Sequence, residues 1–572
     1  MSAPTAREAL DGLAYTFTHV DGVPAVLVPR EGPVTAGITF RVGMADESLA
    51  TSGITHLVEH LALHGLGEVE AHHNGTTTMT TTTFHVTGSP AEAAAFLTGL
   101  CASLRDLPTE RLATEKNVLA TESAHRGSRA AGAALATRFG ARAHGLAGYG
   151  ELGLDRIGPD ELASWTHRWF TRENAVVFLT TTDVPEGLVL DLPSGERMPA
   201  PTARPVLAST PAFEQGAQGE VRVTAVVDRG PAASLLMSVV RARLQRDLRR
   251  SAGYSYVVEA GLVPLDREHA LLALYADSLP AHQDAVVGAV VDVLAALRAG
   301  RIGAEELEGA RSAVLRELDA PDVDAAILPT AACDLLLGED VADAARRRSQ
   351  ILSVTLEEVV EAAGQVWPSA LAQVPGGPLD WAGFAEARPT ASTPVRGYPF
   401  AHVDEPGVEL LLERAGFTVQ HAGAHRTVLL EDVAALVVLG DGGRVVVGTD
   451  GTTVDVEPTV FEGLTADVVA RRVDGVVPEH LHVHRPARDP EQVPAPRGPG
   501  LAATRARVES RRRRAGALVW ALRIVALMAV VMGVLILAGG GPQASSDGRH
   551  VLTVAAVCSL VAVLVARRGR AD

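Results

Sequence analysis

The chain has 572 residues, 47% of them apolar and 21% charged, which is enough apolar material for the cores of roughly three or four domains and excludes disorder throughout. Lys and Arg total 51 against 68 Asp and Glu, so the net charge of −17 offers no basic footprint for nucleic acid. Three distant cysteines, Cys101, Cys333 and Cys558, have no C-x-x-C spacing and provide neither a disulfide framework nor a thiolate zinc site, so a metal has to sit on histidines and carboxylates.

The first residues, MSAPTAREALDGLAYTF, lack the basic segment and apolar run of a signal peptide, and the start of the chain is expected to stay cytoplasmic. From there to about residue 390, strand-like runs alternate with helical patterns, as in an α+β body. In TSGITHLVEHLALHG, Thr51 or Ser52 is the expected helix cap and Gly65 the stop. His56, Glu59 and His60 then share a sector of about 100° on the helix surface, with Leu57 and Leu61 on the other side. Two imidazoles at i and i+4 can chelate one ion, and zinc accepts imidazole nitrogen readily. His64, His72, His73 and His85 are nearby and read as surface or structural residues. The threonine tract Thr76–Thr83 favours β structure and is expected to form an edge strand.

Ser89, Pro90 and Glu92 open a helix with a capping box, followed by Phe96, Leu97, Leu100 and Leu104 on one face. In PTERLATEKNVLATESAHRG the residues Leu112, Glu115, Leu119 and Glu122 share one stripe of a further helix. Carboxylates among leucines need a compensating charge. A metal on His56 and His60 supplies it, with one glutamate as third ligand and the other orienting a histidine from behind. A helix from His282 to Leu297 carries only a narrow polar line, Asp284, Gly288 and Asp292, so it is packed on most sides.

Residues 408–458 show short β-type runs, such as those starting at Thr427 and Arg444, separated by Gly440–Gly443 and Thr449–Gly451; they form a small β-rich module. The proline-rich segment from Arg485 to Gly500 reads as a semi-rigid linker. Beyond it, Ala515–Ala538 and Val551–Ala566 read as two membrane spans. Arg523, the one charge in the first, costs roughly 3 kcal/mol at a bilayer centre and is expected near an interface. Arginines Arg505, Arg507 and Arg511–Arg514 precede the hairpin and Arg567, Arg568 and Arg570 follow it, which places both flanks, and the body, on the cytoplasmic side of the cell membrane.

The pattern His56-Leu-Val-Glu-His60 with Glu115 and Glu122 downstream resembles the pitrilysin/insulinase family of zinc metallopeptidases, the inverzincins, which include mitochondrial processing peptidase. Around it, Phe40–Glu47 resembles the family's strand and Gly-x-x-x-Glu segment. Asn74-Gly-Thr-Thr77 followed by Phe84 resembles its substrate-binding edge strand, and Trp169 to Phe178 the strand that closes its first domain. Leu248-Arg249 through Gly253 and Tyr256 looks like the family's Leu-Arg-x-x-x-Gly-x-x-Tyr segment in a second, metal-free domain. The resemblance spans about residues 15 to 370. One departure stands out: only 62 residues separate His60 from Glu122, and the helix the family places between Gly65 and Asn74 is missing.

The resemblance implies two tandem insulinase-like α/β domains, 1–195 with the metal and 196–395 without it. A β-rich module (400–484), a linker (485–510) and two transmembrane helices (515–538 and 550–566) complete the expected organisation. It implies one Zn²⁺ per chain on His56, His60 and Glu122, with Glu59 as general base and Glu115 behind a ligand. Arg249 and Tyr256 become candidate transition-state stabilisers, and Asn74, Thr76, Thr77 and Phe84 candidate contacts for a peptide added as a strand. The expected activity is metalloendopeptidase cleavage of peptides or unfolded segments by a membrane-anchored chain, acting as a homodimer or with a related subunit. The competing expectation is a membrane-tethered peptide-binding scaffold that has lost turnover, which the shortened segment after Gly65 favours.

Overall fold

The first sheet is built from β1 (Thr16–Val20), β2 (Val23–Leu27), β3 (Val34–Phe40), β4 (His72–Thr77), β5 (Thr82–Gly88) and β6 (Ala175–Leu179), in the order β1-β2-β6-β3-β5-β4. In the computed structural model, which describes residues 13–67, 70–125, 129–251 and 253–496, five helices accompany this sheet. They are α1 (Ile54–His64), α2 (Pro90–Arg105), α3 (Leu112–His125), α4 (Arg129–Phe139) and α5 (Pro159–Trp169). Leu57, Val58 and Leu61 of α1 and Phe96, Leu97 and Leu100 of α2 join Phe40, Ile38 and Phe84 in one core. Helix α2 starts as its sequence requires: the Glu92 amide donates to Ser89 Oγ and the Ser89 amide to the Glu92 carboxylate.

A second sheet comprises β7 (Ala212–Gln215), β8 (Glu220–Asp228), β9 (Val258–Pro264), β10 (His269–Asp277), β11 (Leu371–Val374) and β12 (Ala385–Glu386), ordered β12-β7-β11-β8-β10-β9. Helices α6 (Pro231–Leu244), α7 (Gln283–Arg298), α8 (Ala304–Leu318) and α9 (Val323–Leu337) belong to this half. The two sheets repeat one plan. In each, the parallel pairing of the second and third strands in sheet order (β2 with β6, β7 with β11) is followed by three antiparallel pairings out to an edge strand, β4 or β9, while the other edge strand pairs antiparallel in the first sheet and parallel in the second. Helices α1 and α6 enter at the same point of that plan. Only α1 carries histidines, since α6 reads PAASLLMSVVRARL.

The halves are bolted together. Leu328, Ala331 and Ala332 of α9 pack on Val26, Val176 and Phe178, the face of the first sheet turned away from α1. Arg138, at the end of α4, is fully buried and donates to the Ser369 carbonyl and to both the carbonyl and the hydroxyl of Thr224.

The β-rich module consists of two four-stranded sheets. One is β13 (Pro399–Ala401), β14 (Val408–Glu413), β15 (Gly416–His421) and β16 (Ala424–Leu429); the other is β17 (Val433–Leu439), β18 (Arg444–Gly448), β19 (Thr453–Val456) and β20 (His482–Arg485). They share a core of Phe400, Leu410, Phe417, Leu436, Val446 and Val454. The expected linker does not leave the module at residue 485: Arg485 lies in β20, and the Arg488 guanidinium is paired with Asp441 and Glu457. The expected spans 515–538 and 550–566 lie outside the described residues, among which no helix is long and apolar enough to cross a membrane.

Two local expectations are corrected. Helix α1 is capped at Gly53, not at Thr51 or Ser52, which sit in and just after a 3₁₀ turn. The capping acceptor comes from elsewhere: the Glu47 carboxylate accepts from the Gly53 and Thr55 amides, while the Ser52 hydroxyl donates to the Leu49 carbonyl. The Thr76–Thr83 tract is a hairpin and not one strand, because Thr78 turns the chain through hydrogen bonds with Thr81.

Replacing Arg138 by Met strands three buried acceptors at the junction between the halves. The expected cost is about 3 kcal/mol, read as a lowered urea midpoint with an unchanged slope.

Candidate metal centre

The face of α1 turned away from the core meets α3, and this brings His56, His60 and Glu122 together. One donor atom from each lies within 4.8 Å of the others. The Nε2 atoms of His56 and His60 are 3.8 and 3.7 Å from the Glu122 carboxylate oxygens. Both rings are held from behind. His56 Nδ1 donates to Glu151 Oε1 at 2.6 Å, and His60 Nδ1 reaches Glu115 Oε2 at 3.4 Å. Glu115 is in turn held by Arg111. An ionised carboxylate can only accept, so each Nδ1 is the donor and each Nε2 is left turned toward Glu122. That is the arrangement a metal ligand needs.

Glu59, between the two histidines in sequence, points to the edge strand. Its carboxylate accepts a 2.6 Å hydrogen bond from the Thr77 hydroxyl. Burial pushes its pKa above the ordinary glutamate value, while the Thr77 hydrogen bond and then the neighbouring imidazoles pull it down and Glu122 adds to the rise. Strand β4 passes so close that a Cβ on Gly75 would lie 2.6 Å from the Glu59 carboxylate, which is why glycine stands there. At the start of the helix, Glu47 is buried and its pKa is pushed up to about 7 by that burial.

The candidate substrate contacts fall into two groups. Asn74 and Thr76 are exposed and Thr77 half-buried on β4, at the free edge of the sheet. Phe84 is not available to a substrate. It lies on β5 with no exposed surface, edge-on to Phe40, because alternation along β5 turns Phe84 inward with Thr82 and Val86. In the second domain, the Arg249 guanidinium lies 5.4 Å from the Tyr256 ring centre, and Tyr256 is 77% exposed. Asp277 fixes their loop by accepting from the Ser255 hydroxyl and from the Tyr256 and Val257 amides. The described contacts of Arg249 and Tyr256 are thus with each other and, for Tyr256, with Asp277 at the end of β10.

Glu151 was not among the residues the sequence suggested. The usable signal was the chelate itself: two imidazoles require two orienting acceptors, and Glu115 serves one. Glu151 is a lone carboxylate between Gly150 and Gly153, on a loop that closes on α1 through the Gly153 amide and Ser52.

No family model and no curated protein matches the sequence. Solved structures do match the fold. An inactive M16 peptidase domain from Pseudomonas fluorescens superposes with a TM-score of 0.55 at 14% identity, over 65% of this chain and 100% of that one. A putative M16-like peptidase from Alicyclobacillus acidocaldarius gives 0.52 at 17% identity, over 64% and 99%. A protease from Helicobacter pylori gives 0.52 at 14%, over 63% and 98%. The body of this chain therefore has the two-domain M16 peptidase fold, one that proteases and an inactive domain share. Within that fold, this chain places a His-His-Glu donor set beside an edge strand.

Because Gly75 and Glu59 compete for the same space, Gly75→Ala should destabilise the body by about 1–3 kcal/mol. Glu59→Ala should relieve part of that cost, so the double variant loses less stability than the two single losses added together in thermal unfolding; strict additivity would contradict the packing.

Proposed function

We propose that this chain is a zinc-dependent metalloendopeptidase that cleaves peptides or unfolded polypeptide segments and is held at the membrane by its two C-terminal apolar segments. The observation that carries the proposal is the donor set of His56, His60 and Glu122 with Glu59 alongside, hydrogen-bonded to the edge strand. The donors suit zinc: two imidazole nitrogens on rings held from behind by carboxylates and one carboxylate, a set used at catalytic sites with an open position. His56, His60 and Glu122 would hold the ion, and Glu151 and Glu115 would orient the two rings.

Bound zinc would act as a Lewis acid, polarising the scissile carbonyl and lowering the pKa of water toward about 7. The substrate would add to the free edge of β4 as a further strand, reading backbone and shape through Asn74, Thr76 and Thr77. Glu59 would take the proton of the attacking water and return it to the leaving nitrogen. Thr77 limits the positions the Glu59 carboxylate can adopt. Arg249 and Tyr256, stacked on each other, would offer a positive charge and a hydroxyl to the developing oxyanion. A chain with one pair of such domains would close its cleft as a homodimer or with a related subunit.

A second reading, a peptide-binding scaffold without turnover, is favoured by one observation: among the described residues α1 runs into β4 without the helix the family places there. Glu59→Gln decides between the two. The expected result is full zinc content with hydrolysis of unstructured peptides reduced about 10²- to 10⁴-fold, whereas a wild-type chain that binds zinc and peptide but cleaves nothing supports the scaffold. In the same preparations Glu151→Ala should weaken zinc about 10- to 100-fold. For the membrane segments, a reporter after Asp572 should be cytoplasmic and one near Ser545 external; the reverse pattern overturns the orientation.

A further inference from the structure

The module of residues 399–488 is more than an appendage to the peptidase body. Its second sheet is buried on both faces. Val433, Leu436, Val446 and Val454 point into the module's own core, while Ala434, Ala435, Val447 and Val483 point the other way. That outer face packs on Leu49, Ala50, Ala141 and Leu146 of the first domain. The approach is close enough for backbone contact: the Ala141 amide donates to the Thr449 carbonyl, and a Cβ on Gly140 would lie 2.3 Å from that oxygen. At the rim, Arg485 pairs with Asp155 at 2.7 Å.

The surfaces covered in this way frame the metal centre. Leu49 and Ala50 form the turn that leads into α1. Leu146 and Asp155 bracket the loop that carries Glu151, and that loop is tied to the same turn by the Gly153 amide, which donates to the carbonyl and hydroxyl of Ser52. Glu151 lies against Gly53 at the helix start, where a Cβ would meet the Glu151 Cβ at 2.9 Å, and from there it reaches His56. Without the module, both the turn and the loop would expose apolar side chains and lose their backing.

We infer that docking of the module and loading of the metal are linked: the module holds the Glu151 loop against His56, and metal binding in return tightens the module on the body. The inference rests on the metal site proposed above. Linkage is reciprocal by thermodynamic necessity, so it can be read from either side. The residues responsible on the module, Ala435, Val447 and Val483, are positioning residues.

The test uses the full-length chain in detergent micelles, with zinc alone as the probe. Amide exchange is followed with and without zinc, and zinc affinity is measured by chelator competition. Zinc should slow exchange of the Ala141 amide and of β17 and β18, and Glu151→Ala should abolish that slowing even at zinc concentrations that fill the weakened site. Val447→Asp and Val483→Asp, which put charge into the outer face and leave the module's own core intact, should each weaken zinc about 10- to 100-fold, in the range expected for Glu151→Ala. Combining either with Glu151→Ala should weaken zinc no further, because both act through one contact. Zinc-independent exchange at Ala141, wild-type affinity in either interface variant, or fully additive losses would overturn the linkage while leaving the peptidase reading intact. A wild-type chain that takes up no zinc would overturn both.

Discussion

Two imidazoles on one helix face four carboxylates, those of Glu59, Glu115, Glu122 and Glu151, in a partly buried cleft with Arg111 as the cation paired to Glu115. Carboxylates gathered where water is scarce are costly, and the cost grows with each one drawn in. A divalent cation held, as proposed, by His56, His60 and Glu122 would offset that cost. Around this cluster α3 directs both glutamates at α1, a glycine-rich loop is closed over the helix start, and β4 passes so close to Glu59 that a Cβ at Gly75 would clash.

The repeat explains how one plan serves two tasks. Both halves place a helix between the fourth strand of the sheet order and the edge strand, β3 and β4 in one and β8 and β9 in the other. In the first half the helix carries the donor set. In the second, α6 is apolar where it meets the sheet and runs on into a π-helical turn bearing Arg249. Conformational plan and chemistry are thus separable, which fits a fold shared by proteases and an inactive domain. Function has to be argued from the side chains of α1 and α3.

Features governed by short-range rules were legible in the sequence. The spacing of His56, Glu59 and His60, the stripe of Glu115 and Glu122, and the capping box at Ser89 all follow from helix periodicity and local hydrogen bonding. Features governed by tertiary contact were not. The cap of α1 was misplaced because Glu47, six residues upstream of Gly53, supplies the acceptor and frees Ser52 to hold the loop of Glu151. Glu151 is 95 residues from His56, and no periodicity links them. Phe84 is different: alternation with Thr83 and His85 already turns it inward, so the family-like position was given more weight than the strand rule.

The module shows the same competition between local and global reading. Val433-Ala-Ala-Leu-Val-Val-Leu439 is a continuous apolar run. A half-solvated antiparallel strand would alternate as well, so an unbroken run requires cover on both faces. One face is covered by the module's own strands and the other by Leu49, Ala50, Ala141 and Leu146 of the first domain. The β-rich segment therefore announces a second partner surface in its composition, and in the structure that surface is the one beside the His56, His60 and Glu122 cluster. An adaptor that merely trailed from the body would have no use for the second apolar face, and exposing it would invite association through β17 and β18.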